Sequence, residues 1–330
     1  MMLKSKINSV LSKHIEYISK KICSRYTSID AIILYGSYGR DEGGWYIDKN
    51  GKYSPYNDYD ILIVSDEKKH VNTIRTLKKE MAAEIGIRWI DIGQKNMREL
   101  CKYNPSIYNY DLKYGSKVIY GQKQILSKIP EYPANEIPLH EIEVLFFTRL
   151  WTLLGSLEGK GVSSDRVGES SRFFRNQMAK AILSIVDVKL LLLGKYSSSY
   201  KKRVRDISGL FLEYTELIDL AEWAINEKLS PSGIAMTSIE NEELYGRVNK
   251  IFLNVMYEGL SSYYGATIEG PEQIEKQVKW SARNLFYRAA RVLLKRNMGW
   301  EHHIVINLAQ AYLAAAYESE LKDEYIKKAS

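Results

Sequence analysis

Two aspartates near the start of the chain have a spacing suited to chemistry on phosphate groups. Asp58 and Asp60 flank Tyr59 at the start of an apolar run, and side chains two residues apart in a strand share a face. Paired carboxylates repel one another unless a proton or a hard cation lies between them. Since Mg²⁺ prefers carboxylate oxygens, water and substrate phosphates, the pair predicts a divalent-metal site.

A third carboxylate and a glycine–serine pair extend this constellation. Asp91 lies in another apolar segment, residues 88–92, where it would complete a set of three acidic ligands. Two metal ions about 3.5–4 Å apart can activate a hydroxyl group and stabilise a leaving phosphate oxygen. Gly36 would let the backbone approach a phosphate closely, and Ser37 can donate a hydrogen bond to it. We therefore expect two Mg²⁺ ions, with Mn²⁺ as the alternative, at the three aspartates.

A small sheet is needed to position these residues. Helical spacing of apolar residues predicts helices over 1–22 and 67–85, and a loop rich in glycine, tyrosine and aspartate covers 37–57. Short apolar runs rich in β-forming residues predict strands at 31–35, 59–64, 87–92 and 117–120.

The rest of the chain has a helical pattern. Pro130, Pro133 and Pro138 fall in one short segment, which predicts an extended linker. Helices are predicted at 139–157, 171–194, 200–228, 240–264, 271–298 and from about 302. The expected fold class is α+β, with a mixed sheet flanked by helices and then an all-α helical bundle. The expected domains are a catalytic domain over 1–129, a linker over 130–138 and a helical domain over 139–330.

The order of these motifs resembles the nucleotidyltransferase superfamily that includes DNA polymerase beta. The residues that carry the resemblance are LYGSYGR at 34–40 and NDYDILIV at 57–64. The superfamily pattern is an apolar strand, Gly-Ser, a spacer, Asp-x-Asp on the next strand and a later acidic residue. The resemblance covers about residues 25–125, and the segment from Gly43 to Ser54 is extra relative to compact members.

The resemblance implies roles for further residues. Arg40, three positions after Ser37, would contact the triphosphate of a bound nucleotide. Lys180 would reach the same triphosphate, because helical domains in this superfamily often supply such a lysine. Asp91 would be the third carboxylate, with Asp111 as the alternative.

Composition and charge restrict the classes of partner. Lys and Arg number 47 against 40 Asp and Glu, which favours an anionic partner such as a nucleotide but not nucleic acid. Two cysteines exclude a disulfide framework and a four-cysteine zinc site. The sequence has neither an apolar run of about 18 residues nor a signal-peptide core, so we expect a cytoplasmic protein without a membrane partner.

These features lead to one expected activity and several alternatives. The expectation is a metal-dependent nucleotidyltransferase that moves a nucleoside monophosphate from a nucleoside triphosphate to an acceptor hydroxyl and releases pyrophosphate. ATP is the first choice of nucleotide, and a small molecule is the first choice of acceptor. The alternatives are a cyclic-oligonucleotide synthase, a protein adenylyltransferase or antitoxin acting on a protein partner, and a non-catalytic nucleotide-binding regulatory module.

Overall fold

The computed structural model describes residues 2–67, 71–156, 164–211, 214–270, 273–274 and 276–277. The helix predicted at 271–298 falls almost entirely outside these residues, and the one predicted from 302 falls wholly outside them.

The fold is α+β, as expected, with a small mixed sheet and many helices. The strands are β1 Ala31–Tyr35, β2 Trp45–Ile47, β3 Tyr53–Pro55, β4 Tyr59–Val64, β5 Ile90–Lys95 and β6 Lys117–Gly121. The helices are α1 Met2–Cys23, α2 Gly36–Gly39, α3 Val71–Ile85, α4 Met97–Leu100, α5 Ile107–Tyr114, α6 His140–Gly155, α7 Glu169–Leu192, α8 Tyr200–Leu210, α9 Thr215–Leu229 and α10 Ser238–Tyr264.

The main sheet has the strand order β5-β4-β1-β6. Strand β1 is antiparallel to both β4 and β6, whereas β4 and β5 are parallel and are joined through α3. The predictions for β1 and β4 are confirmed at both ends. Strand β5 begins three residues later than predicted, because Gly86 ends α3 at a positive φ of 77° and residues 87–89 form the connection.

The sheet separates two apolar clusters. On one face, alternate residues of β4, including Ile61 and Ile63, pack with buried residues of α1 and α3. On the other face, Leu62 and Val64 pack with Leu100 and other residues that follow β5. Because side chains alternate along β4, this second face is also the one that Asp60 shares.

The predicted loop at 37–57 contains a hairpin, so that prediction is wrong in part. Strands β2 and β3 pair antiparallel, and the Asp48 side chain accepts hydrogen bonds from two backbone amides of the connecting turn. The Asn57 side chain accepts a hydrogen bond from the Gly44 amide at 2.9 Å, and the Tyr38 hydroxyl donates to the Gly44 carbonyl at 2.7 Å. These bonds attach the start of the segment from Gly43 to Ser54 to α2 and to the residues just before β4.

Contacts group the chain into two compact units. Unit 1 combines residues up to Pro138 with Gly194–Leu210 and Ile225–Ser232, and unit 2 combines Leu139–Leu193, Phe211–Ala224 and the described chain from Gly233 onward. This grouping differs from the predicted continuous domains, because two later segments contact the first unit.

The predicted linker 130–138 is packed rather than extended throughout. Tyr132 and Ile137 are buried, and Ala134–Glu136 forms a 3₁₀ turn between them. The first segment of unit 1 therefore continues through this region.

Long helices make up unit 2. Helices α6, α7 and α10 pack together, and a side-chain carbon on Gly259 would lie 2.7 Å from Val188, so glycine permits the close approach of α10 and α7. The single helix predicted at 200–228 is wrong, because α8 ends at Leu210 and α9 begins at Thr215. Gly209, one residue before the end of α8, lowers helix propensity at that point. None of the described helices combines the length and apolar character that a membrane crossing requires.

Candidate active site

The strand register places Tyr35, Asp60 and Asp91 in one row across the sheet. Tyr35 of β1 pairs with Asp60 of β4, which in turn pairs with Asp91 of β5. Paired residues on neighbouring strands lie about 5 Å apart and share a face. Asp58 lies just before β4, two residues from Asp60, and its charge acts on the Asp60 carboxyl. The strand register and this interaction together bring the three predicted aspartates to one part of the sheet.

Burial and the neighbouring negative charges both raise the pKa of Asp60. Burial first, and then the charges of Asp58 and Asp91, raise the pKa of this carboxyl to about 7. Lys228 and Arg40 oppose the rise but do not cancel it. A divalent cation at this position would replace the proton and relieve the repulsion among the three carboxylates.

Gly36 supplies the space in which the Asp60 carboxylate lies. Its φ is 64°, and a side-chain carbon added there would fall 1.9 Å from Oδ2 of Asp60. Only glycine fits both the backbone angle and this contact. The next residue, Ser37, is buried, and its carbonyl accepts a hydrogen bond from the Glu42 amide at 2.8 Å. Gly36 of the predicted Gly-Ser pair thus lies against Asp60, and Ser37 follows it in α2.

A substitution at Gly36 tests this contact. Gly36→Val is expected to displace the Asp60 carboxylate and weaken binding of Mg²⁺ and a nucleoside triphosphate at least about tenfold, with the helices of unit 2 retained. Calorimetry and circular dichroism would measure the two effects. The matched control is Gly51→Val, which has a φ of 73° but open space around the added carbon, and it should leave affinity unchanged. Wild-type affinity in Gly36→Val would contradict a role for this glycine at the site.

Arg40 lies in a buried ion-pair network. Its Nη1 donates to Oδ2 of Asp111 at 2.9 Å, and its Nε is 3.4 Å from Oε2 of Glu42. The guanidinium also lies over the ring of Tyr200, 4.3 Å from the centroid, and only 8% of the side chain is exposed. The predicted triphosphate contact stays a prediction, and the observed partners of Arg40 are acids and an aromatic ring of its own unit.

Asp111, the alternative third carboxylate, belongs to that same network. It also accepts a hydrogen bond from the Tyr196 hydroxyl at 3.1 Å. Burial raises the pKa of Asp111, and the positive charges of Arg40 and Arg203 act against that rise. The geometry therefore favours Asp91, which pairs with Asp60, over Asp111.

Asp91 is contacted by a lysine from the neighbouring helix. The Lys78 ammonium donates to Oδ1 of Asp91 and lies 5.6 Å from the centroid of the Trp89 ring.

Within the described ranges, no group of three or more His, Cys, Asp or Glu side chains is placed to hold a metal ion. The donor chemistry nevertheless fits a divalent cation, because three carboxylates share one face and two of them raise the pKa of the third.

The structure adds residues that sequence reasoning missed. Lys228 of α9 is buried and acts electrostatically on Asp60, although no local pattern distinguishes it from other helix lysines. Tyr35 and Tyr108 meet edge to face, with ring centroids 5.7 Å apart. Burial, together with Asp60 and Asp91, raises the pKa of both hydroxyls, that of Tyr108 to about 12. The alternation of β1 was the signal that could have placed Tyr35 on this face.

Lys180 belongs to the other unit. It lies in α7 and is half-buried. Its predicted triphosphate contact stays a prediction, whereas Lys228 is a lysine within unit 1 that acts on the aspartate row.

Comparisons with known proteins assign no family. No protein-family model matches the chain, and no curated protein matches it. The candidate site rests on its own residues: three aspartates on one face of the sheet, with Gly36 against the middle one.

Proposed function

We propose that the protein is a metal-dependent nucleotidyltransferase, which transfers a nucleoside monophosphate from a nucleoside triphosphate to an acceptor hydroxyl. The observation that carries this proposal is the strand register, which places Asp91 beside Asp60, with Asp58 two residues before Asp60. The raised pKa of Asp60, caused by burial and then by the charges of those two aspartates, agrees with it. The contact between Gly36 and Asp60 adds a close approach of backbone to the same point. The order of the motifs along the chain agrees with the superfamily that the sequence resembles.

The three aspartates would bind the metal ions, and Gly36, Ser37 and Lys228 would bind the triphosphate. Asp58 and Asp60 would hold the Mg²⁺ that accompanies the triphosphate, and Asp91 would complete the ligands of a second ion near the acceptor. Bound there, such ions lower the pKa of the acceptor hydroxyl and neutralise charge on the departing pyrophosphate. The Gly36 backbone and the Ser37 hydroxyl would position phosphate oxygens, and Lys228 would add positive charge beside them.

The acceptor is proposed to be a small molecule with a free hydroxyl, and ATP the nucleotide. The second candidate is a synthase of cyclic oligonucleotides, in which the acceptor hydroxyl belongs to another nucleotide. The paired Tyr35 and Tyr108 rings near Asp60 and Asp91 favour this candidate over a protein acceptor, because aromatic faces stack on nucleobases. A cytoplasmic location belongs to the same proposal.

Tracing a labelled phosphate tests the reaction and separates the acceptors. The protein would be incubated with each of the four α-labelled ribonucleoside triphosphates and Mg²⁺, with and without cell extract. Label in a small molecule that appears only with extract supports the first candidate, and label in a cyclic nucleotide without extract supports the second. Tight metal-dependent nucleotide binding with no transfer of label under any condition would leave only a regulatory module.

Lys228 provides a test that compares two lysines. Lys228→Met is expected to raise the nucleotide KM about tenfold, because one positive charge beside the triphosphate is lost. Lys180→Met removes the lysine predicted from the sequence and serves as the comparison. Steady-state kinetics on both variants decides which lysine acts, and a normal KM in Lys228→Met would exclude it from the nucleotide site.

A further inference from the structure

The contact between Lys78 and Asp91 places a positive charge on the carboxylate expected to bind the second ion. Lys78 extends from α3, and its ammonium donates to Oδ1 of Asp91. The Lys78 side chain is 18% exposed, whereas that of Asp91 is 48% exposed. A lysine donor and a divalent cation require the same lone pairs of this carboxylate, so the two compete.

We propose that Lys78 is an internal counterion which holds Asp91 until a divalent cation displaces it. The inference rests on the proposed function only in taking Asp91 as a metal ligand. Without the ion, three carboxylates share one face, and the ammonium offsets part of their repulsion. Once the ion is bound, the same ammonium would be repelled by it and would leave Asp91. Lys78 therefore sets the affinity of the Asp91 position for its ion.

Trp89 offers the displaced ammonium a second contact. The Trp89 side chain is exposed, and the Lys78 ammonium already lies 5.6 Å from the centre of its ring. An ammonium over the face of tryptophan is attracted by the ring electrons. Because the lysine stem is flexible, a small change of rotamer moves the ammonium from carboxylate to ring.

Lys78 is not required to attach its helix to the sheet. Ile74, Leu77 and Met81 of α3 are buried in the cluster beneath β4 and β5, and they supply that attachment. Lys78→Met keeps the length of the stem and removes the charge, so we expect it to fold. Lys79→Met is the matched control, because it removes the same charge one residue along the helix from an exposed position.

Binding of Mn²⁺ to the full chain without nucleotide, followed by electron paramagnetic resonance, measures the competition. Lys78→Met should bind Mn²⁺ about 5- to 30-fold more tightly than wild type, and Lys79→Met within about twofold of wild type. In the Asp91→Ala background, Lys78→Met should have no further effect, since the shared ligand is gone. Equal affinities in Lys78→Met and Lys79→Met would overturn the proposal.

A titration with Mg²⁺ reports the movement itself. Tryptophan emission of the wild type should change as the ion binds, and the change should be absent in both Trp89→Phe and Lys78→Met. An unaltered change in Lys78→Met would contradict the displacement. The two proposals fail separately, because nucleotidyl transfer with no effect of Lys78 on Mn²⁺ removes only this one. An effect of Lys78 on Mn²⁺ without any transfer would remove only the enzymatic function.

Discussion

Asp60→Asn is expected to lower nucleotidyl transfer by about 10³-fold or more while the protein stays folded. The variant keeps the shape of the side chain beside Gly36 but removes the negative charge from the centre of the aspartate row. Losing one main electrostatic contributor to a transition state typically costs this much. Transfer of label from an α-labelled triphosphate by the purified variant is the measurement, with Asp66→Asn, an exposed aspartate just after β4, as control.

Asp60→Asn is also expected to change how the free energy of unfolding depends on pH, and measuring this change confirms that the variant is folded. The pKa of Asp60 is about 7 in the folded chain and ordinary in the unfolded one. A raised carboxyl pKa means that the folded state binds more protons, so wild type loses stability as pH rises from about 4 to 7. Asparagine does not titrate. Without metal, Asp60→Asn should therefore gain on the order of 2–4 kcal/mol relative to wild type between pH 4 and 8.

Urea denaturation in a chelator, at pH 4 and pH 8, measures this gain. An unchanged difference in stability between variant and wild type at the two pH values would mean that burial and the neighbouring carboxylates do not raise the pKa of Asp60 in the folded chain. Near-normal transfer by Asp60→Asn would remove Asp60 from the reaction altogether.

Asp91→Ala is expected to abolish transfer nearly completely while nucleotide binding stays within a few-fold of wild type. Asp91 pairs with Asp60 from a different strand, on the side away from Gly36, and is proposed to serve the acceptor rather than the triphosphate. The expected result is a fall in kcat with little change in the nucleotide KM, as for an interaction that acts only in the transition state. Any change in the binding of Mg²⁺–ATP should be toward tighter binding, because one negative charge beside Asp60 is removed.

Asp111→Ala is the comparison for Asp91→Ala. Asp111 pairs with the buried Arg40, and removing one partner of a buried ion pair costs about 3–5 kcal/mol. The Asp111 variant should therefore lose stability in thermal melts, whereas Asp91→Ala should melt near the wild-type temperature. A fully active Asp91→Ala, together with a folded but inactive Asp111→Ala, would move the third carboxylate to α5.

The local sequence pattern was sufficient to predict the candidate site residues that lie close together along the chain. The strands β1 and β4 were predicted at their observed ends, because each is a short apolar run bounded by glycine or polar residues. The spacing of Asp58 and Asp60, and the position of Gly36 at a strand end, followed from the same local rules. The hairpin within the loop was missed, because its strands are only three residues long, too short for a periodic pattern to be recognised.

Contacts between distant residues were decided by tertiary structure alone. The sequence alone was enough to identify the three aspartates and the Gly-Ser pair as candidate site residues and to predict an α+β fold, since these depend on residue type and on periodicity along the chain. Strand register and helix packing determine the pairing of Asp60 with Asp91 and the ion pair between Lys78 and Asp91. They also bring Lys228 close enough to act on Asp60. Register is set by which apolar faces are buried together across the whole unit, and no local spacing encodes that choice.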